Sequence, residues 1–227
     1  VKADETPSET ISTFATSPKS IEADGTAAAT LTFTAKDAKG NAIKDLAGIT
    51  FVVKDGSGQT PTSGITVTAT TNVGDGTYTA QLSGTLAGIY TVTPQNNGSP
   101  VGSLSDTVEL KTGAQPDPDK STTTTDKTDV TANGIDNLTI TFVAKDANNN
   151  PMPGIASDIT FKVVDKQGNP APTGAVTVSP ATEISPPGTY TATLTAIRAD
   201  EYSVIPQYDG SVAGPKVDIT VKADETP

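Results

Sequence analysis

GTAAATLTFTAKD, from Gly25 to Asp37, and GIDNLTITFVAKD, from Gly134 to Asp146, are one pattern written twice. Laid over each other they bring Leu31 onto Ile140, Phe33 onto Phe142 and Asp37 onto Asp146, 109 residues apart. Within each copy apolar and polar side chains alternate. Leu31, Phe33 and Ala35 face one way and Thr32, Thr34 and Lys36 the other, as Ile140, Phe142 and Ala144 stand against Thr141, Val143 and Lys145. A period of two with one apolar face is that of a strand lying on a core and wetted on its outer side. Each strand runs into turn chemistry, DAKGN at 37–41 and DANNNP at 146–151, rich in residues that bond their own backbone or tolerate positive φ.

The match continues outward. Phe51 in ITFVVKD meets Phe161 in ITFKVVD, Tyr78 in GTYTAQL meets Tyr190 in GTYTATL, and Tyr90 in IYTVTPQ meets Tyr202 in EYSVIPQ. A period this long is that of a whole domain, not of a solenoid turn. Alternation also marks Ile49/Phe51/Val53, Tyr78/Ala80/Leu82, Tyr90/Val92 and Val108/Leu110. In the second copy it marks Ile159/Phe161/Val163, Tyr190/Ala192/Leu194, Tyr202/Val204 and Val217/Ile219/Val221. Further turns fall at Asp55 to Gly58, Asp75-Gly76, Asn97-Gly98 and Asp209-Gly210. Helical spacing is absent. Six or seven short strands per copy predict an all-β chain of two tandem immunoglobulin-like antiparallel β-sandwich domains, without the Cys, Trp, Cys pattern of antibody domains.

The expected boundaries are domain 1 over 8–112, a Pro-containing linker over 113–120 stiffened by Pro116 and Pro118, and domain 2 over 121–222. Residues 1–7 are expected to close a preceding repeat and 223–227 to open the next linker. VKADETP at Val1 to Pro7 returns at Val221 to Pro227, 220 residues later. That recurrence predicts a longer array whose repeating unit is the pair, or one linker sequence used twice.

The composition limits the chemistry. With a net charge of −11 and Arg198 the only arginine, the chain lacks the basic face that nucleic acid requires, and an anionic membrane is disfavoured for the same reason. No apolar run is long enough to insert into a bilayer. There is no His and no Cys, which removes Ser/His/Asp and Cys/His nucleophiles and most zinc sites. Paired carboxylates could hydrolyse glycosides, but such sites use clefts and aromatic faces, and Trp is absent. No enzyme, no catalytic residue and no cofactor are expected.

Three clusters invite a functional reading. Asp117, Asp119, Asp146, Asn148, Asn149 and Asn150 offer oxygens for calcium, yet read more simply as a turn and a solvated linker, so no metal site is expected. Tyr78, Tyr90, Tyr190 and Tyr202 could face sugar, but sit at core-phase positions and are expected to pack inward with hydroxyls at the rim. Lys36 and Lys145 could form isopeptide bonds with Asn, although outward strand lysines that discourage edge pairing are commoner.

ADGTAAATLTFTAKDAKGNAI (Ala23 to Ile43), ANGIDNLTITFVAKDANNNPM (Ala132 to Met152), and the later DGTYTAQL and AGIYTVTP segments resemble the bacterial Ig-like repeats of the intimin and invasin adhesins, the inverse autotransporters. The resemblance covers nearly the whole chain in two copies. It implies extracellular stalk or spacer repeats at a bacterial cell surface, in a parent anchored in the outer membrane by a β-barrel, holding out a distal adhesive element. Neighbouring repeats would be the direct partners, and a host or bacterial receptor would be met through other domains. The resemblance also gives the missing cysteines a reason, since disulfides closed in the periplasm would obstruct a passenger threaded through a barrel. The alternatives are a direct carbohydrate- or protein-binding module and accessory domains of a secreted hydrolase.

Overall fold

Residues 5–225 are described by the computed structural model of the chain. Val1 to Asp4 and Thr226-Pro227, which belong to the two copies of VKADETP, lie outside them. The chain divides into two compact units, 1–112 and 113–227.

Unit 1 builds two sheets from ten short segments. One sheet takes β1 (Thr13–Ser17), β3 (Ala29–Thr34), β7 (Thr77–Gly84) and β5 (Ile65–Val67) in that order, with β6 (Thr71–Asn72) also on β7. The other takes β2 (Ser20–Glu22), β10 (Asp106–Lys111), β8 (Gly88–Asn96) and β4 (Ile49–Lys54), with β9 (Ser99–Pro100) also on β8. Unit 2 repeats this order with β11 (Thr122–Thr125), β13 (Asn137–Val143), β17 (Thr189–Ala196) and β15 (Val176–Val178), plus β16 (Thr182–Ile184). Its second sheet is β12 (Asp129–Thr131), β20 (Val217–Lys222), β18 (Asp200–Tyr208) and β14 (Ile159–Asp165), plus β19 (Ser211–Val212). This is the immunoglobulin-like sandwich with one addition: the first strand of each unit breaks, and its second half crosses to the other sheet to pair in parallel with the last strand. That switch and the two-residue edge segments raise the count above the six or seven strands expected.

The alternation expected of the opening stretch is realised. Leu31, Phe33 and Ala35 are fully buried while Thr32, Thr34 and Lys36 are partly solvated, and Ile140, Phe142 and Ala144 repeat the arrangement. The two-residue hairpins Asn97-Gly98 and Asp209-Gly210 have φ of 49° and 80°, and 47° and 79°, the paired positive values that join strongly twisted strands. Gly76 and Gly188, ahead of the buried Tyr78 and Tyr190, have φ of 93° and 82°. A Cβ there would also lie 3.1 Å from the Ala35 carbonyl and 3.3 Å from that of Ala144.

Two expectations are corrected. Lys36 and Lys145 lie beyond the ends of β3 and β13, in isolated bridges to Ala42 and Pro151, so they are loop rather than strand residues. In β14 the phase is blurred. Phe161 and Val163 are only half-buried, whereas Val164, on the opposite face, is buried because Pro170 folds back and bridges to it. The stretch Gly113 to Lys120, expected as a Pro-containing linker, bonds to unit 2: the Asp117 N–H donates to the Lys145 carbonyl at 2.7 Å and the Gly113 N–H to Asp146 Oδ2 at 2.9 Å.

Candidate functional site

Of the six oxygen-bearing residues considered for calcium, the fold gathers Asp146, Asn148, Asn149 and Asn150 into the loop after β13 and leaves Asp117 and Asp119 in their own turn. Asp146 is buried, and its oxygens are occupied. Oδ1 accepts the N–H groups of Asn148 and Asn150, both at 2.9 Å, and Oδ2 accepts the Gly113 N–H and Asn150 Nδ2 at the same distance. Burial pushes its carboxyl up, but these donors outweigh burial and hold it below the usual carboxylate range. Asn149 supplies the loop's left-handed residue, φ 72°, where unit 1 has Gly40 at 86°. Asp117 Oδ1 accepts the Asp119 N–H at 2.8 Å. Asp37 does in unit 1 what Asp146 does in unit 2, accepting from the N–H groups of Lys39 and Asn41 and from Asn41 Nδ2, each at 2.9 Å. Among the described residues no group of three acidic side chains is placed to hold a metal ion.

The same loop fixes the chain that leads into each sandwich. Ser12 Oγ donates to the Lys36 carbonyl and accepts the Lys36 N–H, at 3.1 and 3.0 Å; Ser121 makes the same reciprocal pair with Lys145 at 3.3 and 3.1 Å. The Ser8 N–H donates to the Lys36 carbonyl as that of Asp117 does to Lys145. Lys36 and Lys145 thus matter through their backbones.

The four tyrosines are buried, not presented to a ligand. Tyr78 donates to the Ile43 carbonyl at 2.9 Å and accepts the Leu46 N–H at 2.8 Å; Tyr190 donates to the Met152 carbonyl at 2.6 Å and accepts the Ile155 N–H. Tyr90 and Tyr202 each donate to the carbonyl four residues upstream, Leu86 at 2.9 Å and Arg198 at 3.4 Å, the tyrosine corner of immunoglobulin-like sandwiches. Burial raises all four phenols above their ordinary pKa.

The surface offers shallow features. A cleft of about 420 Å³ on the outer face of β18 and β20 is lined by Lys166, Glu201, Ser203, Lys216 and Asp218. Its charges are paired within the cleft, Lys166 with Glu201 at 2.6 Å and Lys216 with Asp218 at 2.9 Å. The Ser203 hydroxyl donates to Asp218 and accepts from Lys216, and the bonds from Ser203 and Lys216 hold the Asp218 carboxyl below the usual carboxylate range, which makes it a weak base toward that hydroxyl. A groove of mixed polarity beside β14 is lined by Ile159, Phe161, Val178 and Pro180 and by the hydroxyl residues Thr160 and Ser179. Neither arrangement supplies an activated nucleophile.

One cluster escaped the sequence reading. The Asp106 carboxylate, in β10, accepts the Thr16 N–H at 2.7 Å and the Thr16 hydroxyl at 3.0 Å and pairs with Lys19, tying β1 across to the opposite sheet. Burial opposes its ionisation, but Lys19 and the Thr16 and Thr107 N–H groups prevail and hold the carboxyl at about 2. Its partners are some 90 positions away along the chain, and nothing local marks them.

The family model for invasin domain 3 matches the chain twice, over residues 8–113 and 117–224. The two matches begin at Ser8 and Asp117, the residues that make the equivalent bond to Lys36 and Lys145. Among solved structures the chain is similar to invasin, described as a bacterial integrin-binding protein, at 30% identity and a TM-score of 0.73, over 98% of this chain and 42% of that one. It is similar to FdeC, an Escherichia coli adhesin, at 28% identity and 0.71, over 99% and 66%. The likeness to InvD of Yersinia pseudotuberculosis, 24% identical with a TM-score of 0.68 over 96% and 59%, is one of fold. The chain thus spans less than two thirds of each of these proteins.

Proposed function

The chain belongs to the invasin domain 3 family of bacterial surface adhesins, and from that premise we propose that its two sandwiches are stalk repeats, a spacer that carries a separate adhesive element away from the cell. One observation carries this reading. The polar and aromatic residues that recur between the units, Asp37 with Asp146, Tyr78 with Tyr190 and Tyr90 with Tyr202, all turn inward and are spent on the backbone of their own sandwich. A ligand site copied with the repeat would present a recurring outward constellation. What is copied here is scaffold. Cell adhesion at the bacterial surface is the family's role. Within it, this segment needs neither catalysis nor a cofactor, and outer-membrane anchoring and receptor contact fall to other parts of the parent chain.

The test is binding by the isolated pair. Purified residues 1–227, titrated onto host cells, immobilised glycans and integrin ectodomains, are expected to show no saturable binding and no competition with the full adhesin. Saturable binding that survives a Pro180→Asp change, at an exposed position in the groove beside β14, would point to a receptor site elsewhere on these repeats. Binding abolished by that change would place the site in the groove. Either outcome replaces the spacer reading with that of a direct binding module.

A further inference from the structure

Where β20 leaves unit 2, two isoleucines stand in solvent, Ile135 at 80% exposure and Ile197 at 65%. They are held there by built turns. Asn133 Oδ1 accepts the N–H groups of Ile135 and Asp136, at 2.9 and 2.8 Å, and the Asp136 carboxylate accepts the Thr131 N–H at 2.7 Å and pairs with Lys127 at 2.5 Å. The Gly134 N–H donates to the Ala196 carbonyl at 2.9 Å, and Ile197 Cγ2 lies 3.1 Å from where a Gly134 Cβ would stand, so the two turns abut. The Ala132 N–H donates to the Lys222 carbonyl at 2.8 Å, so the chain beyond Lys222 departs beside this patch. Unit 1 has exposed threonines at the equivalent places, Thr26 and Thr85.

The departing chain reads VKADETP, the sequence that leads into unit 1. The leading end of unit 1 is the more apolar of the two. Ile11, beside the Ser12 clamp on Lys36, is 36% exposed, whereas unit 2 has the exposed Lys120 there. Val73 in unit 1, 59% exposed, has the apolar counterpart Ile184 in unit 2. An apolar trailing end is therefore followed by a sequence that introduces an apolar leading end.

We propose that Ile135 and Ile197 form the apolar centre of a contact with a following repeat of the unit 1 type, met through its Ile11 side. Exposed aliphatic side chains on rigid turns are suited to burial against a neighbour, and a matched apolar surface removes both from water. Unit 1 differs at the two equivalent positions, Thr26 and Thr85, and carries its exposed apolar side chain one residue further on, at Leu86. The proposal rests on the stalk reading only in requiring that another repeat follow.

The test extends residues 1–227 in register with residues 8–112, since Val221 to Pro227 already reproduces Val1 to Pro7. Isoleucine methyl relaxation by a soluble paramagnetic agent is compared before and after extension. The Ile135 and Ile197 methyls are expected to fall to the level of the half-buried Ile155, with Ile184 unchanged. In the extended chain, Ile135→Thr with Ile197→Thr, the residues of unit 1, is expected to shorten the rotational correlation time of the third sandwich. Unchanged accessibility on extension overturns the proposal. So does protection that appears in the unextended chain as concentration rises, which would assign the patch to a second copy. Failure of the stalk reading registers separately, as binding of the unextended chain to cells.

Discussion

The core of unit 1 is continuous, whereas that of unit 2 falls into two clusters that share the half-buried Phe161. The cause is legible residue by residue. In unit 1, Phe14 of β1 stacks on Phe51 with ring centroids 5.6 Å apart; in unit 2 the equivalent of Phe14 is Thr123, and Ala213 stands where unit 1 has Val101. Val217 likewise replaces Asp106, so the tie between the sheets at that point is lost. Apart from Asp106, the backbone-binding side chains have kept their roles: Asp37 and Asp146, the two tyrosine pairs, Gly76 and Gly188, and the hairpin residues recur in both units. Apolar volume can be redistributed at modest cost, but a buried N–H accepts only an acceptor in one place. The repeat is therefore preserved by its polar skeleton more than by its core.

That contrast can be broken by experiment, the largest effect first. Asp37→Ala and Asp146→Ala each leave several loop N–H groups without their acceptor and are expected to destabilise their own unit by about 3 kcal/mol. Hydrogen exchange resolved by unit would measure both, and Asp146→Ala should also release the Gly113 amide to fast exchange. A cost confined to one unit would show that the skeleton is not shared. Phe14→Thr, which gives unit 1 the residue of unit 2, is expected to cost unit 1 about 2 kcal/mol and leave unit 2 unchanged, read as a shift of one of two denaturant transitions.

Asp106 sharpens the comparison through pH. Its carboxyl is held at about 2, below its unfolded value, so its contribution is complete above pH of about 4 and is lost as pH falls toward 2. Asp106→Asn is expected to lower unit 1 stability by about 1–2 kcal/mol at pH 7 and to flatten its acid dependence between those values, with unit 2 unaffected. An unchanged acid profile would remove Asp106 from the tie. The smallest effect has the opposite sign. Thr123 Oγ1 is buried and finds no hydrogen-bond partner among the described residues, so Thr123→Val should raise the melting temperature of unit 2, worth about 1 kcal/mol.

The parts of this fold open to sequence reading were those written in neighbouring residues. The Leu31/Phe33/Ala35 alternation, the Asn97-Gly98 and Asp209-Gly210 hairpins and the inward phase of the tyrosines are all local patterns. The parallel pairing of β2 with β10 is not, because Ser20–Glu22 is too short to show a period. Asp117, Pro116 and Pro118 have a linker's composition, and only the remote Lys145 carbonyl and Asp146 carboxylate make Gly113 to Lys120 part of unit 2. Phe161 carries the pattern of a core residue. It is only half-buried, and it lines a groove with Val178 and Pro180, whose approach no reading of β14 alone could reveal.

The spacer role is tested most directly by removing one repeat unit. Deleting residues 1–220 from the parent protein leaves one copy of VKADETP in register and takes out both sandwiches. If these repeats only extend, binding of purified receptor to the displayed protein stays unchanged, while attachment to cells carrying a thick surface coat falls because the adhesive element no longer reaches through it. Loss of purified-receptor binding at equal surface display would contradict that role and place the receptor contact within these two sandwiches.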